Sequence, residues 1–179
     1  MKTLFTLALL ALAAGAQAHI LLDQPTAAAG SSYRATFKVG HGCEGSPTRE
    51  IVITLPAGLR SAKPMPKPGW TLSTRRRPLA TPYESHGKTI ADELAEVRWT
   101  ASSEANWLPD DWYDEFVLRA SLPAEPGELW FAVRQVCAKG EWNWAELPSA
   151  ATPKPRAPAV RLIVQPATAP AQPTPPAHH

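Results

Sequence analysis

The chain has 179 residues, 44% of them hydrophobic and 19% charged, and carries a formal net charge of +2. That length suits one domain with a substantial core, and a charge so near zero implies neither a nucleic-acid partner nor an anionic membrane surface.

At the N-terminus Lys2 precedes an apolar run from Leu4 to Ala14, and Ala16-Gln17-Ala18 supplies the small-residue pattern of a signal-peptide cleavage site. The run falls short of the roughly 20 residues that a membrane-spanning helix takes, and no later segment is long enough. The sequence therefore predicts a signal peptide over residues 1–18, general export, and a mature periplasmic chain with no membrane span. Cleavage after Ala18 puts His19 first, with a free α-amine and an imidazole on one residue. Amine and ring nitrogen close a small chelate ring that suits Cu(II), the ion at the top of the divalent affinity order. The opposing reading is a histidine left at the cleavage site by chance.

Period-two alternation dominates the mature chain. In YRATFKV, Tyr33, Ala35, Phe37 and Val39 share one face. The loop VGHGCEGSPT then crowds His41, Cys43 and Glu44 into four positions. Glu44 offers a carboxylate oxygen and His41 a nitrogen; alternatively the loop only holds a disulfide. EIVITLP aligns Ile51, Ile53 and Leu55. Met65, in a Pro-rich loop, reads as packing. Shorter strands are predicted at 70–74, 88–90 and 96–100. Arg75-Arg76-Arg77 reads as a solvated loop, because no aromatic residues interleave with it as a base-stacking surface requires. ESHGK reads as a turn, with His86 in it.

The segment NWLPDDWYDEF, with Asp110, Asp111, Asp114 and Glu115, lacks the periodic oxygens and glycine of a calcium loop. It reads as a loop whose acids make structural hydrogen bonds. EFVLRASLP then aligns Phe116, Leu118, Ala120 and Leu122, and ELWFAVRQVC aligns Leu129, Phe131, Val133 and Gln135. Cys137 has the same parity as these inward residues. In an oxidising compartment the pair Cys43 and Cys137 predicts a disulfide; a thiolate copper site is the alternative. The bridge would pin the VGHGCEG loop beside EWNWAEL, where Trp142 and Trp144 have equal parity and so one common face. Trp70, Trp99 and Trp130 read as core or rim. AVRLIVQ is the last strand. The Pro/Ala-rich residues 166–179 are expected to form an extended tail, with His178 and His179 a terminal pair of no specific role or weak metal ligands. Short strands between Pro/Gly turns, with no helical period, predict an all-β fold: a single antiparallel β-sandwich domain, immunoglobulin/cupredoxin-like, over residues 19–165.

Several pieces stand in unbroken order from His19 to about Pro148: AHILLDQPTAAAGS, VGHGCEGSPT, TLPAGL, PKPGW, NWLPDDWYDEFVLRASLPA and EWNWAELP. In that order they resemble the YcnI-like copper-binding domain, the DUF1775 family. The resemblance implies an exported β-sandwich with a monohistidine brace, in which copper is held by the amine and imidazole of one N-terminal histidine, a loop glutamate and a nearby tryptophan. Carried across, the histidine is His19 and the tryptophan Trp144. Glu44 stands at about the glutamate's place, but the cysteine of HGCEG departs from the pattern and keeps His41 open as the third ligand. The implied role is copper homeostasis or delivery as a metallochaperone, with copper and other periplasmic copper proteins as partners and no catalysis. Two rivals remain. One is a copper oxidase or monooxygenase, which needs a second histidine, His41 or His86. The other is a metal-free interaction module using NWLPDDWYDEF.

Overall fold

Alternation in the sequence becomes alternation in burial. The computed structural model describes residues 19–167; the expected signal peptide and positions 168–179, His178 and His179 included, lie outside the described residues. The strands are β1 (Leu21–Leu22), β2 (Thr26–Ala28), β3 (Ser32–Val39), β4 (Thr48–Thr54), β5 (Arg60–Pro64), β6 (Trp70–Ser85), β7 (Lys88–Ala101), β8 (Asp114–Ser121), β9 (Gly127–Cys137), β10 (Glu141–Trp144) and β11 (Val160–Gln165). One sheet runs β1-β3-β8-β5 and the other β2-β11-β9-β4-β7-β6, with β10 also paired to β9. Among the described residues no helix is long and apolar enough to cross a membrane.

The two sheets close over one core. Phe37 and Phe116 come from the first sheet, and Ile51, Ile53, Val97, Trp99, Phe131, Val133 and Leu162 from the second; all are fully buried. Aromatic edges join the layers: Phe37 meets Phe131 at 5.2 Å and 78°, and Trp99 meets Phe116 at 5.7 Å and 66°. Such T-shaped pairs add to the burial of their area. Trp99 places its indole N–H on the carbonyl of Met65 at 3.0 Å, so the buried polar atom is satisfied while the Met65 side chain stays exposed. Trp70 packs on Phe116, and Trp130 lies under Arg161 at the rim.

Three features depart from the sequence reading. The sandwich is not wholly antiparallel, because β2 and β11 pair parallel. The chain leaves β1 in one sheet, turns through Pro25 and joins the other sheet's edge, where Pro25 accepts a hydrogen bond from the Ile163 amide. Secondly, the three short strands expected between residues 70 and 100 belong to one long hairpin, β6 and β7, closed by a two-residue turn with His86 at φ 48° and Gly87 at φ 71°. Left-handed backbone at both positions matches the strand twist. Thirdly, Arg75, Arg76 and Arg77 are strand residues and not a loop. They pair with Glu96, Asp92 and Glu93 across the hairpin. Much of this arm is exposed on both faces, so it needs no apolar period, and its sequence shows none.

The expected disulfide is present, Cys43 to Cys137, with Cα atoms 5.9 Å apart and a sequence separation of 94. On the chain-entropy model a loop that long stabilises the fold by about 4–5 kcal/mol. A Cys43→Ala/Cys137→Ala variant should lose most of that in urea unfolding; a loss below about 1 kcal/mol would mean that the unfolded chain is already constrained.

Tyr33 supplies a pH-dependent contribution. Its buried hydroxyl donates to the Gln24 carbonyl at 2.6 Å. Burial, reinforced by the charge of Asp23, pushes its pKa up to about 12. The fold thus favours the neutral phenol. Its contribution is complete below the ordinary tyrosine value of ~10 and is lost as pH climbs through the folded value. Between those limits wild type should lose about 2–3 kcal/mol more than Tyr33→Phe in urea unfolding at matched pH; parallel curves would place the phenol in a wetter site.

Candidate metal centre

One end of the sandwich gathers the residues that the sequence singled out. The approach to β1 brings His19, the loop between β3 and β4 brings His41, and β10 brings Trp144. Ile20 and Leu22 are buried in the core and anchor the segment behind His19. The His19 ring meets the Trp144 indole edge-on, at 5.4 Å and 76°. The His41 ring meets the same indole at 6.0 Å and 80°. Trp142 stacks on Trp144 at 5.3 Å and 28°, as their equal parity on β10 predicts, and Arg156 lies over Trp142.

A buried glutamine organises this corner. Gln135 lies on the inward face of β9 and is fully buried, so its amide must find partners inside the protein. β10 pairs with β9 so that Trp142 stands opposite Gln135 and Trp144 opposite Val133. Trp144 therefore lies diagonal to the amide and donates its indole N–H to Gln135 Oε1 at 3.3 Å. An indole nitrogen can only donate, which fixes the amide's orientation. Its Nε2 donates to the His41 carbonyl at 2.6 Å and to Thr48 Oγ1 at 2.8 Å. The sequence places Gln135 on the inward face but assigns it no role. A lone amide at an inward position of an apolar strand is the signal that points to it.

The loop itself is clamped. A Cβ on Gly42 would stand 1.9 Å from the Ser46 carbonyl oxygen, so only glycine fits there. The Gly42 amide donates to Asp110 Oδ1 at 2.8 Å, which gives one acid of the NWLPDDWYDEF segment a structural task. Asp114 takes another, pairing with Lys67 at 2.5 Å. Cys43 and Ser46 exchange backbone hydrogen bonds around Glu44 and Gly45, both with positive φ. The Ala138 amide reaches the Pro47 carbonyl, and the Lys139 amide reaches Ser46 Oγ. Together with the disulfide, these bonds zip the loop to the turn between β9 and β10.

His19, His41 and Trp144 thus come together. Glu44 sits at the exposed tip of its two-residue turn. Among the described residues no group of three or more His, Cys, Asp or Glu side chains is gathered in metal-binding proximity. His86 lies exposed at the far tip of the long hairpin. The two cysteines are joined to each other, so the thiolate-site alternative falls.

The chemistry of the corner lies in two atoms. His19 Nε2 and His41 Nε2 are both shut off from solvent, and neither has a hydrogen-bond partner. A buried polar atom left unpaired costs about 1–3 kcal/mol. Both imidazoles meet the same indole, and imidazole nitrogen is a ligand suited to borderline ions.

Comparison with known proteins places this geometry in context. The profile of a family described as a domain of unknown function (DUF1775) matches residues 19–164. Among solved structures, the chain is similar to an uncharacterized protein from Nocardia farcinica with an immunoglobulin-like fold. That likeness has 26% identity and a TM-score of 0.64, and it covers 84% of this chain and 99% of the other. A non-cellulosomal cohesin from Archaeoglobus fulgidus matches at 6% identity and TM-score 0.41 over 82% of this chain and 90% of its own. A ScaB type I cohesin from Pseudobacteroides cellulosolvens matches at 9% and 0.42 over 90% and 97%. Both cohesin likenesses are too loose to carry an argument. No curated protein matches. With the match beginning at His19 and running through both sheets, the chain belongs to the DUF1775 family.

Proposed function

We propose that the protein is an exported copper-binding protein that holds Cu(II) at His19 and buffers or hands over copper. The observation that carries this reading is the placement of the His19 and His41 imidazoles against one buried indole, Trp144. Signal-peptide removal after Ala18 adds the α-amine of His19, which closes a chelate ring with Nδ1 of the same imidazole, the ring nitrogen within its reach. The family match starting at His19 supports that boundary. Neutral nitrogens suit Cu(II) over harder divalent ions. Trp144, only 4% exposed, forms a dry wall beside the imidazoles, and Trp142 backs it.

The α-amine must give up its proton to bind. Its unperturbed pKa lies near ~8, so affinity for copper rises with pH across neutrality. Oxidative chemistry on the same chelate is a second reading, favoured by the presence of a second imidazole at the indole. Peroxide-dependent turnover of a reporter substrate tests it. A metal-free module keeps one supporting observation, the exposure of Trp112 and Tyr113 at 61% and 57%. Copper lost on desalting would favour that module.

Mature protein should bind about one Cu(II) per chain, and one extra residue before His19 should abolish tight binding by moving the amine out of the chelate. Equal affinity of the extended form in competition titration would defeat the N-terminal brace. If Trp144 walls the site, Trp144→Phe should lose much of the copper-induced quenching of tryptophan fluorescence; unchanged quenching would move the metal elsewhere.

A further inference from the structure

We propose that His41 Nε2 is a copper ligand in this chain, making the centre a three-nitrogen site of two imidazoles and one amine. The inference rests on the copper-binding reading above and goes beyond it in assigning the third donor.

It begins with the other nitrogen of the His41 ring. His41 Nδ1 lies 2.6 Å from the Gly42 carbonyl oxygen. A carbonyl oxygen only accepts, so Nδ1 carries the hydrogen, and in the neutral ring Nε2 carries the bare lone pair. That lone pair is buried with nothing to accept. Metal-ligating histidines have this arrangement, with one N–H given to a backbone carbonyl and the opposite nitrogen free for the ion.

The position is fixed before any ion arrives. Gln135 Nε2 holds the His41 carbonyl, Asp110 holds the Gly42 amide, the Gly42–Ser46 contact admits no side chain, and Cys43 is bonded to Cys137. These constraints fall on three consecutive residues, and the imidazole they leave at the indole is a preset donor. Glu44, by contrast, sits at the tip of the turn that Cys43 and Ser46 close, at an exposed position with φ 52°. The histidine two residues before Cys43 is thus inside the corner and the glutamate after it is outside.

The test uses the mature protein loaded with one equivalent of Cu(II), and compares wild type, His41→Ala, His41→Gln and Glu44→Gln by EPR and competition titration. Nitrogen hyperfine structure should count three nitrogens in wild type and Glu44→Gln, and two in both His41 variants. The His41 variants should also bind at least about tenfold more weakly, since even the loss of an outer-shell partner costs that much. In the metal-free protein, the ring 15N shifts of His41 should report a protonated Nδ1 and a bare Nε2. Should His41→Ala lose its near-UV circular dichroism, His41→Gln and the 15N shifts still decide. Two nitrogens in wild type, with affinity unchanged in His41→Gln and lowered in Glu44→Gln, would overturn the assignment and leave the copper reading standing. The opposite tautomer would overturn it as well. Wild type that binds no Cu(II) would overturn both.

Discussion

A fully buried amide cannot be left half satisfied, and in this protein that constraint links the core to the candidate centre. Gln135 occupies a position on β9 that its neighbours Phe131 and Val133 fill with apolar side chains. Its three hydrogen bonds reach Trp144, Thr48 and the backbone of His41. Removing any one of them would strand a polar atom in the interior, at about 1–3 kcal/mol. The network therefore behaves as a unit, and whatever fixes β9 in the sandwich also fixes the indole and the loop. An apolar residue at 135 would fill the space but leave the indole N–H and the His41 carbonyl without partners.

The disulfide acts in the same place by a different route. Its stabilising effect comes mainly from the unfolded chain, yet its position decides what it does locally. Cys43 lies two residues after His41, and Cys137 two residues after Gln135, so the covalent bond runs alongside the hydrogen bond from Gln135 to His41. Covalent and hydrogen-bonded ties bind the same two segments. A loop between strands, ordinarily the most mobile part of a sandwich, is here tied to β9 by both kinds of bond.

Much of this is legible in the sequence, wherever a buried face imposes a period. Strands β3, β4, β8, β9 and β11 carry the inward residues that alternation assigns to them, Cys137 shares their parity, and Trp142 and Trp144 share a face. The loop lies beside β10, as the cysteine pairing implies. The features that escape a reading of the sequence are those that burial does not dictate. Along the β6–β7 arm charge pairs with charge where a core-facing strand would alternate apolar and polar residues, so Arg75, Arg76 and Arg77 carry no strand signal and read as a loop. The parallel partnership of β2 with β11 depends on how the chain crosses at Pro25, which no local pattern records. Glu44 and His41 are three positions apart and indistinguishable as donors from the sequence. Only the positive φ of the turn and the hydrogen bond at His41 Nδ1 separate them.

The corner also differs from a binding site laid on a surface. Trp144 belongs to the hydrophobic core cluster, so its indole is positioned by packing whether or not an ion is present. His41 is held by the backbone bonds around it. His19 is tethered by Ile20 and Leu22, buried at 3% and 5% exposure, and its own ring rests against Trp144. Ordering a polar side chain on binding costs about 0.5–1.5 kcal/mol. In this arrangement folding has already placed the indole and both imidazoles. A corner of that kind gains its precision from the core, which holds the indole and anchors the segment behind His19.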